Sequence, residues 1–173
     1  APPKIYYIHP LLVGPLPNWT AHLQRAAGLG FTQVNIAPPF LPNSDGNVFL
    51  ADDFEKSHPQ FEGPASADDL IAQLAAACRQ QGLALLVDIV LDRVARGGVM
   101  ARSAPRWFRE EFSALGRIDP RCAREETEAA YARFDDPETG GQLIGWWTDR
   151  LVRLINDIAA AKVHFAAIDR TSL

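Results

Sequence analysis

The spacing of apolar positions changes several times along the chain, and each change marks an element. Lys4–His9 (KIYYIH) is a β-branched and aromatic run stopped by Pro10, which predicts a strand. A loop with Gly14, Pro15 and Pro17 follows. Asn18 then stands where a helix cap belongs, and Trp19, Leu23, Ala26 and Ala27 share one face of a helix reaching about Leu29. Gly30 ends it. Phe31–Ala37 (FTQVNIA) predicts a second strand, closed by Pro38 and Pro39. Ser66-Ala67-Asp68-Asp69 opens a second long helix in the manner of a capping box. Leu70, Ile71, Leu74, Cys78 and Gln81 continue it, and Gly82 closes it. Leu83–Val90 (LALLVDIV) is almost continuously apolar, as a parallel strand buried on both faces is. After Gly140-Gly141, a stripe of Leu143, Trp147, Leu151, Leu154 and Ile158 predicts a further helix, and Val163–Ile168 (VHFAAI) a fourth strand.

Two long connections interrupt this series. Pro38 to Ala65 reads as a Pro- and Gly-containing functional loop. In Leu91 to Thr139, Trp107, Phe108 and Phe112 suggest a short docked helix, and the charged, Ala-rich Arg121 to Arg133 a solvated one. The order β-α-β-α-β-(irregular)-α-β implies right-handed crossovers and a parallel sheet. Two architectures fit: a small open, doubly wound sheet, and the first half of a (β/α)8 barrel with about four strands. In both, functional groups gather on loops after the strand C-termini. The two long connections follow the second and third strands, on that edge.

Composition narrows the function. The 173 residues suffice for one domain, and 47% hydrophobic with 22% charged residues is globular composition. Seventeen Lys and Arg against 21 Asp and Glu leave a net charge of −4, without the basic footprint of a nucleic-acid binder. No apolar run reaches membrane-span length, and the first residues have no signal-peptide pattern, so no membrane partner and a cytoplasmic location are expected. Cys78 and Cys122 lack zinc or redox spacing and are expected to be reduced thiols. There is no phosphate-binding glycine loop, no metal-ligating His pair and no G-x-S-x-G elbow, so no cofactor or metal is expected.

The carboxylates are the chemistry that remains. Asp88 lies near the C-terminal end of an apolar strand, where a charge must be paired or hydrogen-bonded. It reads either as a structural acid held by a partner such as Arg93, or as a site acid at the strand mouth. Asp52 and Asp53, beside Phe49 and Phe54, read as a solvated turn or as a sugar-facing cluster. Asp169, past the last strand, has the position of a rim carboxylate or of a frayed end. His9 and His58, each next to Pro, read as hydrogen-bonded loop residues before they read as bases. Trp147 falls on the buried stripe of its helix and Trp146 off it.

Taken in order, these segments resemble the start of an alpha-amylase-superfamily catalytic domain (glycoside hydrolase family 13). Gly30-Phe-Thr-Gln-Val-Asn-Ile-Ala-Pro-Pro-Phe40 resembles the second-strand segment of that family. Asp53-Phe54 with His58-Pro59-Gln60-Phe61 resembles the stretch before its second helix. Ala67-Asp68-Asp69-Leu70 through Asp88 resembles that helix and the third strand. The run Pro105-Arg106-Trp107-Phe108 is similar to one in bacterial maltosyltransferases that act on maltose 1-phosphate. The resemblance implies a barrel fold and α-glucan or maltooligosaccharide substrates. It also implies substrate-binding roles for Asp88, Asp53, Phe49, Asp92 and Arg93, and offers Asp169 as nucleophile.

Departures from the family pattern set further expectations. Val48-Phe49-Leu50 stands where the family has Gly-Tyr-Asp, and Asp92-Arg93 where it has Asn-His. Gapless matching of the fourth strand puts Ala166 at the family's Arg and Ile168 at its nucleophile. Asp169 takes that role only with an extra residue in the strand, which a bulge must absorb. Retaining glycoside transfer needs two carboxyl groups about 5–5.5 Å apart, and in this family the acid/base follows the fifth strand. The chain is therefore expected to be inactive alone, and open edge strands are expected to favour homo-oligomers. The alternative is a non-catalytic sugar-binding or assembly module.

Overall fold

The computed structural model describes residues 2–109 and 128–164, the last five as backbone. Four parallel strands form the main sheet: β1 (Ile5–Ile8), β2 (Gln33–Ile36), β5 (Ala84–Val90) and β9 (Ala160–His164), side by side in that order. Their order follows the chain, with no reversal between neighbours. The register runs Tyr7 to Asn35, Asn35 to Leu86 and Leu86 to Ala160.

Side chains alternate across a strand, and here the two faces differ sharply. Val34, Ile36, Leu85, Val87 and Ile89 are buried against helices α2 (Trp19–Gly28), α3 (Ala67–Gln80) and α5 (Gly140–Leu154) in one apolar core. The opposite face carries Ile5 and Tyr7, both 47% exposed, with Gln33, Asn35, Ala84 and Leu86. The near-continuous apolar run of β5 predicts burial on both faces. Only the helix side is fully buried along its whole length, whereas Ala84 and Leu86 on the other face keep partial exposure.

Helix signals translate into structure with one exchange of roles. Ser66 caps α3, its hydroxyl accepting from the Asp69 amide at 3.3 Å, and Gly82 follows with φ +71°. Asn18 does not cap α2 with its side chain. Its amide donates instead to the Val13 carbonyl at 3.1 Å, tying the helix to α1 (Pro10–Val13).

The two long connections are more ordered than a loop reading predicts. The first contains an antiparallel hairpin, β3 (Phe40–Pro42) with β4 (Ala51–Ser57). The second holds β6 (Arg93–Ala95), helix α4 (Val99–Ser103), β7 (Phe108–Arg109) and β8 (Ala129–Ala132). β8 lies between β6 and β7, antiparallel to both. Ala129–Ala132 is therefore a buried strand, where composition predicts a solvated helix; pairing on both sides overrides alanine's helix propensity. Trp107 closes a 3-10 turn (Pro105–Trp107) and Phe108 enters β7, in place of the docked helix expected there. Phe112, Cys122 and the first part of the Arg121–Arg133 segment lie outside the described residues.

Candidate functional site

The face of the sheet away from the helices gathers a polar group at the C-terminal end of β5. Asp88 is 1% exposed, and its Oδ1 accepts a 2.8 Å hydrogen bond from Asn35 Nδ2 on β2. Strand register explains the pair: Asn35 sits opposite Leu86, and Asp88 is the next residue on that face. The carboxylate fixes the Asn35 amide, since only the NH2 end can donate to it. Asn35 Oδ1 is then left buried with no hydrogen-bond partner among the described residues. A buried acceptor in that state calls for a partner such as a ligand hydroxyl.

Tyr7, opposite Asn35 on β1, completes the row. Partial burial pushes its phenol pKa up, and the negative charge of Asp88 adds to the effect. Tyr7, Asn35 and Asp88 thus offer a hydroxyl, an amide oxygen and a carboxylate on one sheet face. Asn35 and Tyr7 were not singled out by the sequence; a lone Asn inside the apolar second strand was the available signal for Asn35.

The segment after β5 supplies the next charges. Asp92 and Arg93 pair at 3.3 Å, and both side chains are largely buried. The Asp92 carbonyl accepts from the Ala132 amide, which anchors β8 beside them. The β3–β4 hairpin leans on the same region: the Gly98 backbone comes so close to Asp52 that a Cβ there would lie 2.8 Å from the Asp52 carbonyl oxygen.

Asp53 is 8% exposed on β4, in contrast to a solvated turn. Its Oδ1 accepts from the Glu55 amide at 2.9 Å, and its Oδ2 lies 3.6 Å from Lys56 Nζ. Phe49 is half-buried between the buried Val48 and Leu50, and its amide donates to Asn47 Oδ1. Leu50 packs with Ala129 and Tyr131, which welds this turn to β8. Asp169, Ala166 and Ile168 lie outside the described residues.

The two proline-adjacent histidines, His9 and His58, close local turns. His9 Nδ1 accepts from the Leu11 amide and His58 Nδ1 from the Gln60 amide. Burial pushes the His58 pKa down, and the nearby His9 pushes it the same way. Cys78 is a free thiol in the core, its pKa raised by burial to about 11.

A buried charge also occupies a core position that apolar spacing passes over. Arg150 of α5 is 1% exposed. Its Nη2 donates to the Phe54 carbonyl at 2.8 Å and lies 2.6 Å from Asp68 Oδ1, and its guanidinium sits 5.6 Å from the centre of the Phe40 ring. Arg153, one turn on, holds Glu55 through two hydrogen bonds of 2.9 and 2.5 Å. The pair of arginines clamps α5 to β4 and α3, while Phe54 packs edge-on to Trp147 at 4.8 Å. The buried stripe of α5 is Leu143, Trp147, Arg150 and Leu154. Helical spacing pointed to this stripe, and an apolar rule then selected Leu151 over Arg150.

No protein-family model matches the chain. It is 30% identical over 159 residues to the alpha-1,4-glucan:maltose-1-phosphate maltosyltransferase of Burkholderia pseudomallei (strain K96243), an alignment covering 92% of this chain and 14% of that protein. In fold it is similar to a noncanonic maltogenic alpha-amylase from Thermotoga neapolitana, with TM-score 0.73, 13% identity, and 98% of this chain on 40% of that one. It is similar also to an alpha-amylase from Lactobacillus plantarum, with TM-score 0.73, 17% identity, and 94% on 38%. The chain thus spans about a seventh of the maltosyltransferase and well under half of each amylase. No helix among the described residues is long and apolar enough to cross a membrane. The chain is thus similar in sequence to one stretch of a maltosyltransferase and similar in fold to part of two alpha-amylases.

Proposed function

We propose that residues 1–173 are the first arc of a (β/α)8 barrel, part of a glycoside hydrolase or glycosyltransferase that acts on α-glucan or maltosyl substrates. The observation that carries this reading is the main sheet. Its four parallel strands keep chain order, one face is sealed by helices, and the other carries the buried polar pair Asn35 and Asp88 beside the half-exposed Tyr7 at the strand C-termini. A barrel interior, seen with the remaining strands removed, has these properties. The outer strands β1 and β9 are the edges that a closing arc, or a second copy of the chain, would pair.

In this reading Asp88 and Asn35 bind a sugar hydroxyl. Asp88 fixes the amide, and the unpartnered Asn35 Oδ1 accepts from the substrate. Asp53, Phe49, Asp92 and Arg93 flank the same mouth as substrate-binding residues. Asp169 is the nucleophile candidate. Transfer with retention needs a second carboxyl group about 5–5.5 Å from the nucleophile. We place that group on the arc beyond residue 173, so the chain by itself binds without turning over. It works in the cytoplasm, without a membrane or nucleic-acid partner.

Titration of the isotope-labelled chain with maltose and maltooligosaccharides tests the binding half of this reading. Saturable shifts of the Asn35 side-chain NH2 signals are expected, weakened by Asp88→Ala. Unchanged Asn35 signals at saturating sugar would refute a role for this row.

A further inference from the structure

A cleft whose lining shares no residue with the Asp88 row lies beside the start of α5. It has a volume of about 570 Å³ and opens between the 3-10 turn Pro105–Trp107 and the beginning of α5, where Glu138, Thr139 and Gln142 line it. That is within the size range of small-ligand sites. α5 returns the chain from the C-terminal end of β5 to the start of β9, so its first turn lies toward the sheet edge that carries Asp88.

The lining is mixed in a specific way. Trp107 is half-buried, and its indole N–H donates to Gln142 Oε1 at 3.3 Å, which fixes ring and amide relative to each other. The Gln142 NH2 end remains to act as a donor. Arg106 and Glu138 meet across the cleft at 2.6 Å, and both are well exposed. The backbone beneath is tied down, since the Arg106 carbonyl accepts from the Thr139 hydroxyl and the Trp107 carbonyl from the Arg133 amide. An aromatic face held beside planar side chains that both donate and accept suits a ligand with apolar C–H faces and vicinal hydroxyls. A pyranose ring has that pattern. The Arg106–Glu138 pair carries no net charge to hold a nucleotide phosphate, and a purely apolar ligand would bury that pair at a cost.

We infer that this cleft is an accessory carbohydrate-binding site, in which a glucosyl unit stacks on Trp107 and its hydroxyls bond to Gln142, Arg106 and Glu138. The inference rests on the α-glucan reading above only for the choice of sugar. It adds a second point of attachment that would hold a long glucan beside the mouth of the sheet.

The test is the same maltooligosaccharide titration, with the Trp107 indole N–H signal as a second probe, assigned by its loss in Trp107→Phe. Saturable shifts of that signal are expected, and the apparent Kd it reports should rise about tenfold or more in Arg106→Ala/Glu138→Ala. These two residues are exposed, so that variant keeps its fold, and Asp88→Asn should leave the Trp107 response unchanged. Shifts at Asn35 without shifts at Trp107 would overturn the accessory site and leave the main reading standing. Shifts at Trp107 alone would do the reverse. Silence at both probes would overturn both, as would an unaltered Trp107 response in the double variant for the accessory site.

Discussion

Replacing Arg150 with methionine removes the guanidinium and keeps most of the aliphatic stem in the core. The Phe54 carbonyl then loses a 2.8 Å charge-assisted donor in a buried setting. A buried acceptor left unmade costs about 1–3 kcal/mol. Asp68 loses a partner at 2.6 Å; its side chain is 31% exposed although Oδ1 itself is buried, so solvent offsets only part of that loss, about 1 kcal/mol. The cation–ring contact with Phe40 goes as well, partly replaced by sulfur-to-ring packing. The expected total is about 2–3 kcal/mol of unfolding free energy, read by urea denaturation with far-UV circular dichroism. In a double-mutant cycle with Asp68→Asn, a coupling of about 1 kcal/mol is expected. A loss of about 0.5 kcal/mol or less, the size of an ordinary surface change, would refute the clamp, and zero coupling would remove Asp68 from it.

Three further outcomes follow from local environments. Cys78, in the core with its pKa raised to about 11, should resist a thiol reagent at pH 8 in the Cys122→Ser variant until denaturant is added. The lowered His58 pKa means that the folded state takes up its proton less readily than the unfolded chain. Its stability contribution is present above the ordinary value of 6.5 and is lost as pH falls from there through the folded pKa; His58→Asn, which can still cap the turn, should flatten that part of the stability–pH curve. Glu55 is held below its ordinary value of 4.5, first by the Arg153 hydrogen bonds, so its contribution is present above 4.5 and disappears as pH falls through the folded pKa. Glu55→Gln should therefore weaken the protein at pH 7 and make little difference in strong acid, measured by thermal unfolding across pH.

Periodicity carried most of the main sheet and its helices. Leu70, Ile71, Leu74 and Cys78 are buried as their spacing requires, and Ser66 caps where a cap is expected. The parts that depend on distant partners were hidden. Ala129–Ala132 has helix-forming composition and becomes a strand only because β6 and β7 flank it. Arg150 sits at a core position of α5 that an apolar rule passes over, since its burial depends on Asp68 and the Phe54 carbonyl, both more than 80 residues away. Asp88 was legible as a charge that needs a partner. That Asn35 is a partner follows from strand register, which a single sequence does not specify. The gathering of Trp107 with Gln142 likewise awaits the crossover that brings α5 back over the sheet.

The central claim is that these strands form one arc of a glucan-active barrel whose proton donor lies on another arc. Release of reducing sugar from maltooligosaccharides, and of phosphate from maltose 1-phosphate, measures it most directly on the purified chain. The account predicts no turnover above the buffer rate by either readout, under conditions where the Asn35 signals report bound sugar. Sustained turnover that disappears in Asp169→Asn would contradict it, because both carboxyl groups of the reaction would then have to lie within these 173 residues.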